Sequence, residues 1–346
     1  MQAYRHRPTG QMELVALPEP TPCSGDVLAE VVSAGICGTD LKIARGEHRL
    51  FPPGTDRTPG HEMVVRVLEG ESDDGLAAGQ LAAVAPNIAC GRCPACRSGR
   101  GNLCAEYESI GLTMDGAFAE HVLVPTAAVG QGNLLPLPAG LDPDLAVLME
   151  PVAAVLRGVD AIELRSADTL VIAGAGPIGL IALLLARLRG VARVVVSQPS
   201  EGRRELARRL GADEVIDPRA SDVVKEVLRV TDGRGADAVM VTTPVPEVFA
   251  QSLELAAVGG HVNFFAGLPA SAGRIPLEAN LVHYRELTVT GSTANTTDDC
   301  RRALELLAEH PGTFAPLVTH HFDLRAADQA FAEAKGGQAL KVVIQP

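Results

Sequence analysis

Two hydrophobic rhythms run along the chain. Residues 12–35 and 61–85 hold short apolar runs, VLAEVVSAG, EMVVRVLEG and QLAAVAPN, separated by Gly, Pro and Asp. Runs of this kind between turn formers predict short strands in an irregular, mainly β segment. From about residue 143 the texture changes: DPDLAVLMEPVAAVLRGVDAIEL has helical spacing, and beyond it apolar strands alternate with amphipathic stretches. The predicted strands are TLVIAG (169–174), ARVVVS (192–197), DEVID (213–217), ADAVMV (236–241), GHVNFFAG (260–267) and LTVTGS (287–292). Between them IGLIALLLARLRG, SEGRRELARRLGA, SDVVKEVLRVTDG and PEVFAQSLELAAVGG are each long enough for a crossover helix. Such alternation predicts an α/β domain, a doubly wound parallel sheet with helices on both faces. After Ser292 come a helix, DDCRRALELLAEH, a strand-like LVTHHFDL, a helix, ADQAFAEAK, and a last strand, LKVVIQP. The pattern therefore breaks near residues 150 and 293, and no internal repeat appears.

Length and charge narrow the field. At 346 residues the chain exceeds the size at which one core keeps growing, so two domains are expected. The N-terminal stretch MQAYRHRPTGQMELVALPEP has no apolar h-region, and the most apolar segment, Ile178 to Leu188, is broken by Gly179 and Arg187. A cytoplasmic protein with no membrane partner is the expectation. A formal charge of −12 speaks against a nucleic-acid partner, which would call for a basic stripe. Tryptophan is absent and aromatics make up 3%, so a substrate pocket would have few aromatic walls, which favours a small polar substrate.

Cysteine placement changes the picture most. Cys90, Cys93, Cys96 and Cys104 lie in CGRCPACRSGRGNLC, with two, two and seven residues between them. Zinc takes four thiolates in a closed tetrahedral site, and Gly91, Pro94, Gly99 and Gly101 supply the turns that bring sulfurs round one ion. Only Cys23, Cys37 and Cys300 remain of seven cysteines, an odd count that suits reduced thiols and metal better than disulfides. A closed all-cysteine site holds a loop together, so catalysis belongs elsewhere.

VIAGAGPIG sets Gly174, Gly176 and Gly179 directly after a strand and at the start of an apolar helix. In that context GxGxxG marks a dinucleotide site. Gly174 permits the tight turn, Gly176 lets backbone approach a pyrophosphate, Gly179 lets helix and strand pack, and the helix N-terminus, from Pro177 and Ile178 on, offers free N–H groups. The acidic residue that normally meets the adenosine ribose is missing: VVVSQPSEGRR has Gln198 there, with Ser197, Ser200, Arg203 and Arg204 nearby. Gln198 can bond a ribose hydroxyl without repelling a 2′-phosphate, so NAD and NADP are both admitted. Arg203 is the better placed of the two arginines to stack on adenine, and Arg204 has an ordinary alternative as a solvated helix residue. The nicotinamide end belongs at the carboxyl ends of the later strands, near Thr242, Thr243, Phe265, Ala266 and Gly267, which could equally be strand-end packing.

Four further residues are separated in sequence: Cys37 in GICGTD, His61 and Glu62 in PGHEM, and Glu150 in LMEPVA. Singly each has a plain reading, as a small buried residue, a loop histidine, a solvated charge and a helix N-terminal carboxylate. With the cysteine cluster and the glycine turn, however, the chain resembles the zinc-dependent medium-chain alcohol dehydrogenases over essentially its whole length. MEPVA, FFAGLP and HYRELTVTGS are most similar to the polyol branch typified by sorbitol and iditol dehydrogenases, with threonine dehydrogenases close by.

The resemblance implies a GroES-like catalytic zinc domain over 1–150, a Rossmann domain over 151–293 and a return of 294–346 to the catalytic domain. It implies two zincs per chain. Cys37 and His61 would bind a catalytic zinc, Glu62 would be a ligand or an outer partner, and Glu150 would approach the metal directly or through water, while the four cysteines would hold a structural zinc. Phe265 to Gly267 would contact the carboxamide of the cofactor. The activity implied is hydride transfer between a secondary alcohol, polyol, cyclitol or sugar-like, and a nicotinamide cofactor, in a homodimer or homotetramer, with threonine oxidation as the runner-up and a non-catalytic nucleotide-binding protein as the further alternative. A catalytic zinc with an open position lowers the pKa of a hydroxyl it holds towards about 7, which prepares loss of hydride. The proton would leave through Thr39, whose plainer role is a turn hydrogen bond. Many relatives carry a histidine three residues beyond that hydroxyl. Here Lys42 stands in its place, and His48 is the next candidate.

Overall fold

A computed structural model describes residues 1–70 and 75–346. The chain forms two compact units, Met1–Ala153 with Ala294–Pro346, and Ala154–Thr293.

The first unit is built on a seven-stranded sheet. Its order runs Val318–Asp323, Lys341–Gln345, Val27–Ile36, Glu62–Glu69, Leu81–Val84 and Leu134–Pro136, and His121–Val124 pairs with the start of Val27–Ile36. Val27–Ile36 shows how the sequence sets its place. Val27, Ala29 and Val31 are buried while the residues between them are partly exposed, and from Ser33 on every residue is buried. All three strands that pair with it are antiparallel to it, and Gly35 stands opposite Glu62 on one side and Val343 on the other. That register brings the ends of three strands from distant parts of the chain side by side. Met63, Ile110, Phe118, Leu134 and Phe331 lie in the core beneath. The four-cysteine segment is a loop whose neck is a two-stranded ladder, Asn87–Ile88 against Glu108–Ser109.

The second unit is a six-stranded parallel sheet in the order Glu214–Ile216, Arg193–Ser197, Thr169–Ala173, Ala236–Val241, Ala256–Phe264 and Thr288–Gly291. This is the doubly wound order whose switch point lies beside the first strand. Val171, Val195, Val239, Leu253 and Val262 form its core.

Two local outcomes differ from the sequence pattern. AAVGG, read as the end of a crossover helix, opens the strand Ala256–Phe264, and the helix stops at Leu255. The ladder slips between Ala236 and Ala238, and Gly259 takes a φ of 73°, so glycines mark a bulge there rather than a helix stop. A six-residue helix, Ala279–Tyr284, precedes the last strand of this sheet, capped by Glu278. It is too short for helical periodicity to show. No helix among the described residues is long and apolar enough to cross a membrane.

Candidate active site

Strand register assembles the first cluster. Cys37 follows directly on Val27–Ile36 and caps the helix Gly38–Ala44, where its Sγ accepts from the Thr39 amide at 3.2 Å while Asp40 Oδ2 accepts from the Cys37 amide at 2.9 Å. His61 and Glu62 lie at the start of the neighbouring strand, and Glu150 opens the helix Met149–Asp160. Ligand atoms of Cys37, Asp40 and His61, and of His61, Glu62 and Glu150, fall within 4.8 Å of one another. Cys37 Sγ and His61 Nε2 are 3.3 Å apart. Two ligands of one tetrahedral zinc, at about 2.3 and 2.0 Å from it, stand about 3.5 Å apart, so the pair suits that ion.

The buried polar atoms point the same way. Asp40 Oδ1, His61 Nδ1 and Glu62 Oε1 are buried without a hydrogen-bond partner. Asp40 Oδ1 faces His61 Nδ1 at 3.7 Å, the arrangement in which an outer carboxylate orients a metal-binding imidazole through the nitrogen that does not touch the metal. Burial alone pulls the His61 pKa down, yet the Cys37 and Asp40 charges outweigh it and hold the ring well above its ordinary value. The Cys37 thiol is pushed up by burial and Asp40, against a smaller pull from His61. A pocket that raises both groups favours added positive charge, which a divalent cation supplies.

One cation already stands there. Lys341, from the strand next to Cys37, is 2% exposed, donates to the Ile36 carbonyl at 3.3 Å and forms a buried ion pair with Glu62. Burial raises the Glu62 pKa, with Lys341 opposing. Burial would lower that of Lys341, but the charges of Glu62, Cys37 and Glu150 and the hydrogen bond to Glu62 together raise it. Gly35 leaves the room: a Cβ there would overlap the Glu62 carboxylate. Sequence reasoning missed Lys341 and Asp40. A lysine inside the apolar strand LKVVIQ was the available signal, since such a charge is buried only when paired.

Of the relay candidates, Thr39 is partly buried in the first turn after Cys37, and Lys42 is exposed. His48 is half-buried with Nδ1 accepting from the Leu50 amide at 3.4 Å, and burial and the nearby His61 lower its pKa.

The four-cysteine lobe is a separate, more exposed cluster. Its sulfurs lie 3.4 Å (Cys93 to Cys96), 3.9 Å (Cys90 to Cys96) and 4.0 Å (Cys93 to Cys104) apart. Four sulfurs round one zinc at about 2.3 Å stand about 3.8 Å from one another, so these distances fit. Amides of Cys90 and Glu106 donate to Cys104 Sγ at 3.2 and 3.3 Å. All seven cysteines are free of disulfides.

In the second unit the glycine turn has the expected geometry. Gly174 has a φ of 112°, Gly176 caps the helix Pro177–Leu188, and a Cβ on Gly179 would overlap the Gly174 carbonyl. Thr242 Oγ1 donates to the carbonyls of Ala173 at 2.9 Å and Gly174 at 3.0 Å, fixing the turn to the neighbouring strand end. Gln198 is buried, its Oε1 accepting from the Ser200 amide at 3.1 Å. Arg203 donates to the Ala175 carbonyl at 3.2 Å, beside the same turn. Arg204 is engaged by the Gln198 and Pro199 carbonyls and by Asp217, so it is not a merely solvated helix residue. The Phe265 and Ala266 amides donate to the Val241 carbonyl, Gly267 is exposed, and the Phe265 ring packs where a Cβ on Gly158 would clash.

Comparison with known proteins places this geometry. Residues 23–137 match the family described as alcohol dehydrogenase GroES-like domain, and residues 177–309 match zinc-binding dehydrogenase. An L-threonine 3-dehydrogenase of Pyrococcus abyssi is 34% identical over 97% of this chain and 96% of its own. A sorbitol dehydrogenase of Halalkalibacterium halodurans is 30% identical over 98% and 96%. Among solved structures, a protein of Sinorhizobium meliloti 1021 described as a zinc-binding dehydrogenase bound to NADP is 35% identical, with a TM-score of 0.90 over 100% of this chain and 99% of that one. The chain belongs to the zinc-dependent medium-chain alcohol dehydrogenase superfamily, and is an NAD(P)-linked oxidoreductase.

Proposed function

We propose that this zinc-dependent dehydrogenase interconverts a secondary alcohol and a ketone on a small polar molecule, a polyol, cyclitol or sugar-like compound. The observation that carries the reading is the mixed donor cluster, in which sulfur, imidazole and carboxylate converge on buried polar atoms that lack partners. Mixed donors of this kind suit a metal with a position left for substrate, unlike four thiolates. L-threonine is the second reading, supported by the name of the Pyrococcus abyssi relative.

Cys37 and His61 are the residues to hold the catalytic zinc, with Glu62 and Glu150 completing its surroundings. When bound, zinc acidifies the substrate hydroxyl and the nicotinamide accepts the hydride. The chain's own residues do the rest. Asp40 keeps His61 Nε2 turned toward Cys37. Lys341 neutralises Glu62. Thr39 Oγ1 takes the proton and passes it towards solvent. Gly174, Gly176, Pro177, Ile178 and Gly179 cradle the pyrophosphate, Gln198 and Arg203 stand on the adenosine side, and Thr242 with Phe265, Ala266 and Gly267 faces the nicotinamide.

The test is metal analysis of purified protein together with a panel of polyols, cyclitols and L-threonine, each with NAD and NADP, followed by reduced-nicotinamide absorbance. Chelator-sensitive oxidation of a polyol or cyclitol is the expected result. Turnover of threonine alone would replace the first reading with the second, and no turnover on zinc-loaded protein would sink both. For the cofactor, Gln198→Asp should lower the NADP-to-NAD preference about tenfold through repulsion of the 2′-phosphate. An unchanged ratio would remove Gln198 from the ribose side. We extend the reading to a cytoplasmic homodimer or homotetramer, supported by the reduced cysteines and by Thr288–Gly291 as the edge strand of its sheet. Light scattering that returned a monomer would refute the assembly, and localisation of a tagged chain outside the cytoplasm would refute the compartment.

A further inference from the structure

Glu150 is held by a residue that comes from the far end of its unit. Asn295 is fully buried, and its Nδ2 donates to Glu150 Oε1 at 2.6 Å and to the Glu150 carbonyl at 3.1 Å. On its other side Asn295 Oδ1 accepts from Asn87 Nδ2 at 2.8 Å and from the Cys300 thiol at 3.4 Å. Asn87 Nδ2 also donates to the Asn295 carbonyl at 3.1 Å. Asn87 Oδ1 then accepts from the Tyr107 hydroxyl at 2.5 Å and from Ser109 Oγ at 3.2 Å. Every donor and acceptor on both amides is used. Neither can flip without setting oxygen against oxygen, at Glu150 for Asn295 and at the Asn295 oxygens for Asn87.

Asn87, Tyr107 and Ser109 sit at the neck of the four-cysteine lobe. Asn87 pairs with Ser109 in the ladder that closes the loop, and the sulfurs lie just beyond, from Cys90 to Cys104. A directional chain, Tyr107 to Asn87 to Asn295 to Glu150, therefore runs from the lobe to a carboxylate of the mixed cluster. Because Glu150 Oε1 is taken by Asn295, the chain decides which way the carboxylate turns.

We propose that Asn295 is the positioning residue of Glu150, and that through Asn87 and Tyr107 the neck of the four-cysteine lobe sets how Glu150 addresses the metal of the mixed cluster. The inference rests on reading that cluster as a metal site. It predicts a particular pattern of failures. Removing the Asn295 side chain frees Glu150 and leaves Asn87 Nδ2 only the backbone carbonyl of residue 295 as acceptor, and replacing it by Asp sets a carboxylate against a carboxylate. Removing the Tyr107 hydroxyl leaves the Asn295–Glu150 contact in place but loosens the amide behind it.

The experiment uses full-length protein with cobalt in the mixed cluster. Chelator competition gives the metal affinity, the visible cobalt band reports the ligand geometry, and thermal midpoints report the fold. Asn295→Ala should weaken metal binding at the mixed cluster about ten- to a hundredfold and shift the cobalt band, the range seen when partners behind a metal ligand are removed. Asn295→Asp should weaken it more, and Tyr107→Phe should weaken it less while keeping the thermal midpoint. Combining Tyr107→Phe with Asn295→Ala should add little to Asn295→Ala alone, because the hydroxyl acts only through the amide. Wild-type affinity and an unshifted band in both Asn295 variants would overturn the positioning role. Additive effects in the double variant would overturn the link to the lobe. If wild-type protein bound only one metal per chain, the reading of the mixed cluster would fail instead, a result separable from both.

Discussion

The two cysteine-bearing clusters of the first unit are put together in opposite ways. The lobe takes its four sulfurs from one short loop between paired strands, keeps three of its four cysteines partly exposed, and has two backbone amides donating to Cys104 Sγ. The mixed cluster takes donors from a strand end, a second strand and a helix, and its Glu62 pairs with Lys341, 279 residues away. Its polar atoms are buried, so each must be matched by another charge or by a metal. A site made of neighbours along the chain organises its own loop, and losing its metal undoes that loop. A site made of distant donors is organised by the sheet beneath it, so its metal can be lost with the fold in place.

Cys37→Ser should have the largest effect. Serine can cap the helix Gly38–Ala44 as Cys37 does, so the protein should stay folded while turnover is abolished and metal content drops from about two zincs per chain to about one. Retained turnover, read by the reduced-nicotinamide assay, would mean that Cys37 is no ligand. Cys93→Ser should do the reverse, lowering the thermal midpoint steeply or causing aggregation because metal binding in the lobe is also folding energy. Should calorimetry find the midpoint unmoved, the lobe does not hold its loop through metal. Lys341→Met tests how far the mixed cluster leans on the sheet. It strands a buried carboxylate, and denaturant unfolding should show a loss of about 3–5 kcal/mol, partly recovered by adding Glu62→Gln. An additive double variant would mean that the two charges do not stabilise one another. The smallest change is Thr39→Val, expected to slow turnover about a hundredfold at unaltered zinc content. A matched fall in zinc would move Thr39 from proton transfer to metal binding.

These contrasts also govern what could be read from residues alone. Cys90, Cys93, Cys96 and Cys104 declare themselves by spacing, because local turns are all that brings them together. Gly174, Gly176 and Gly179 declare themselves by position after a strand, since the φ of 112° at Gly174 is a demand of the local turn. Cys37, His61, Glu62 and Glu150 carry no common spacing, and only family resemblance joined them. Lys341 and Asn295 escaped notice because their partners lie 279 and 145 residues away, fixed by strand register and the return of the chain to the first unit. Burial of Gln198 and the capture of Arg204 by Pro199 and Asp217 were equally invisible, being side-chain choices that periodicity does not encode.

Lys341 reaches across 305 residues to the Ile36 carbonyl, with the whole second unit threaded between the two. During synthesis the strand Val27–Ile36 and the Glu62 carboxylate therefore emerge long before their cation. The second unit is local enough to fold as it leaves the ribosome, whereas the first must wait, one edge of Val27–Ile36 open and one charge uncompensated, until its final strand arrives. A nascent chain halted after the second unit would thus hold a finished nucleotide fold beside an unfinished and sticky sheet, a natural target for chaperones and proteases.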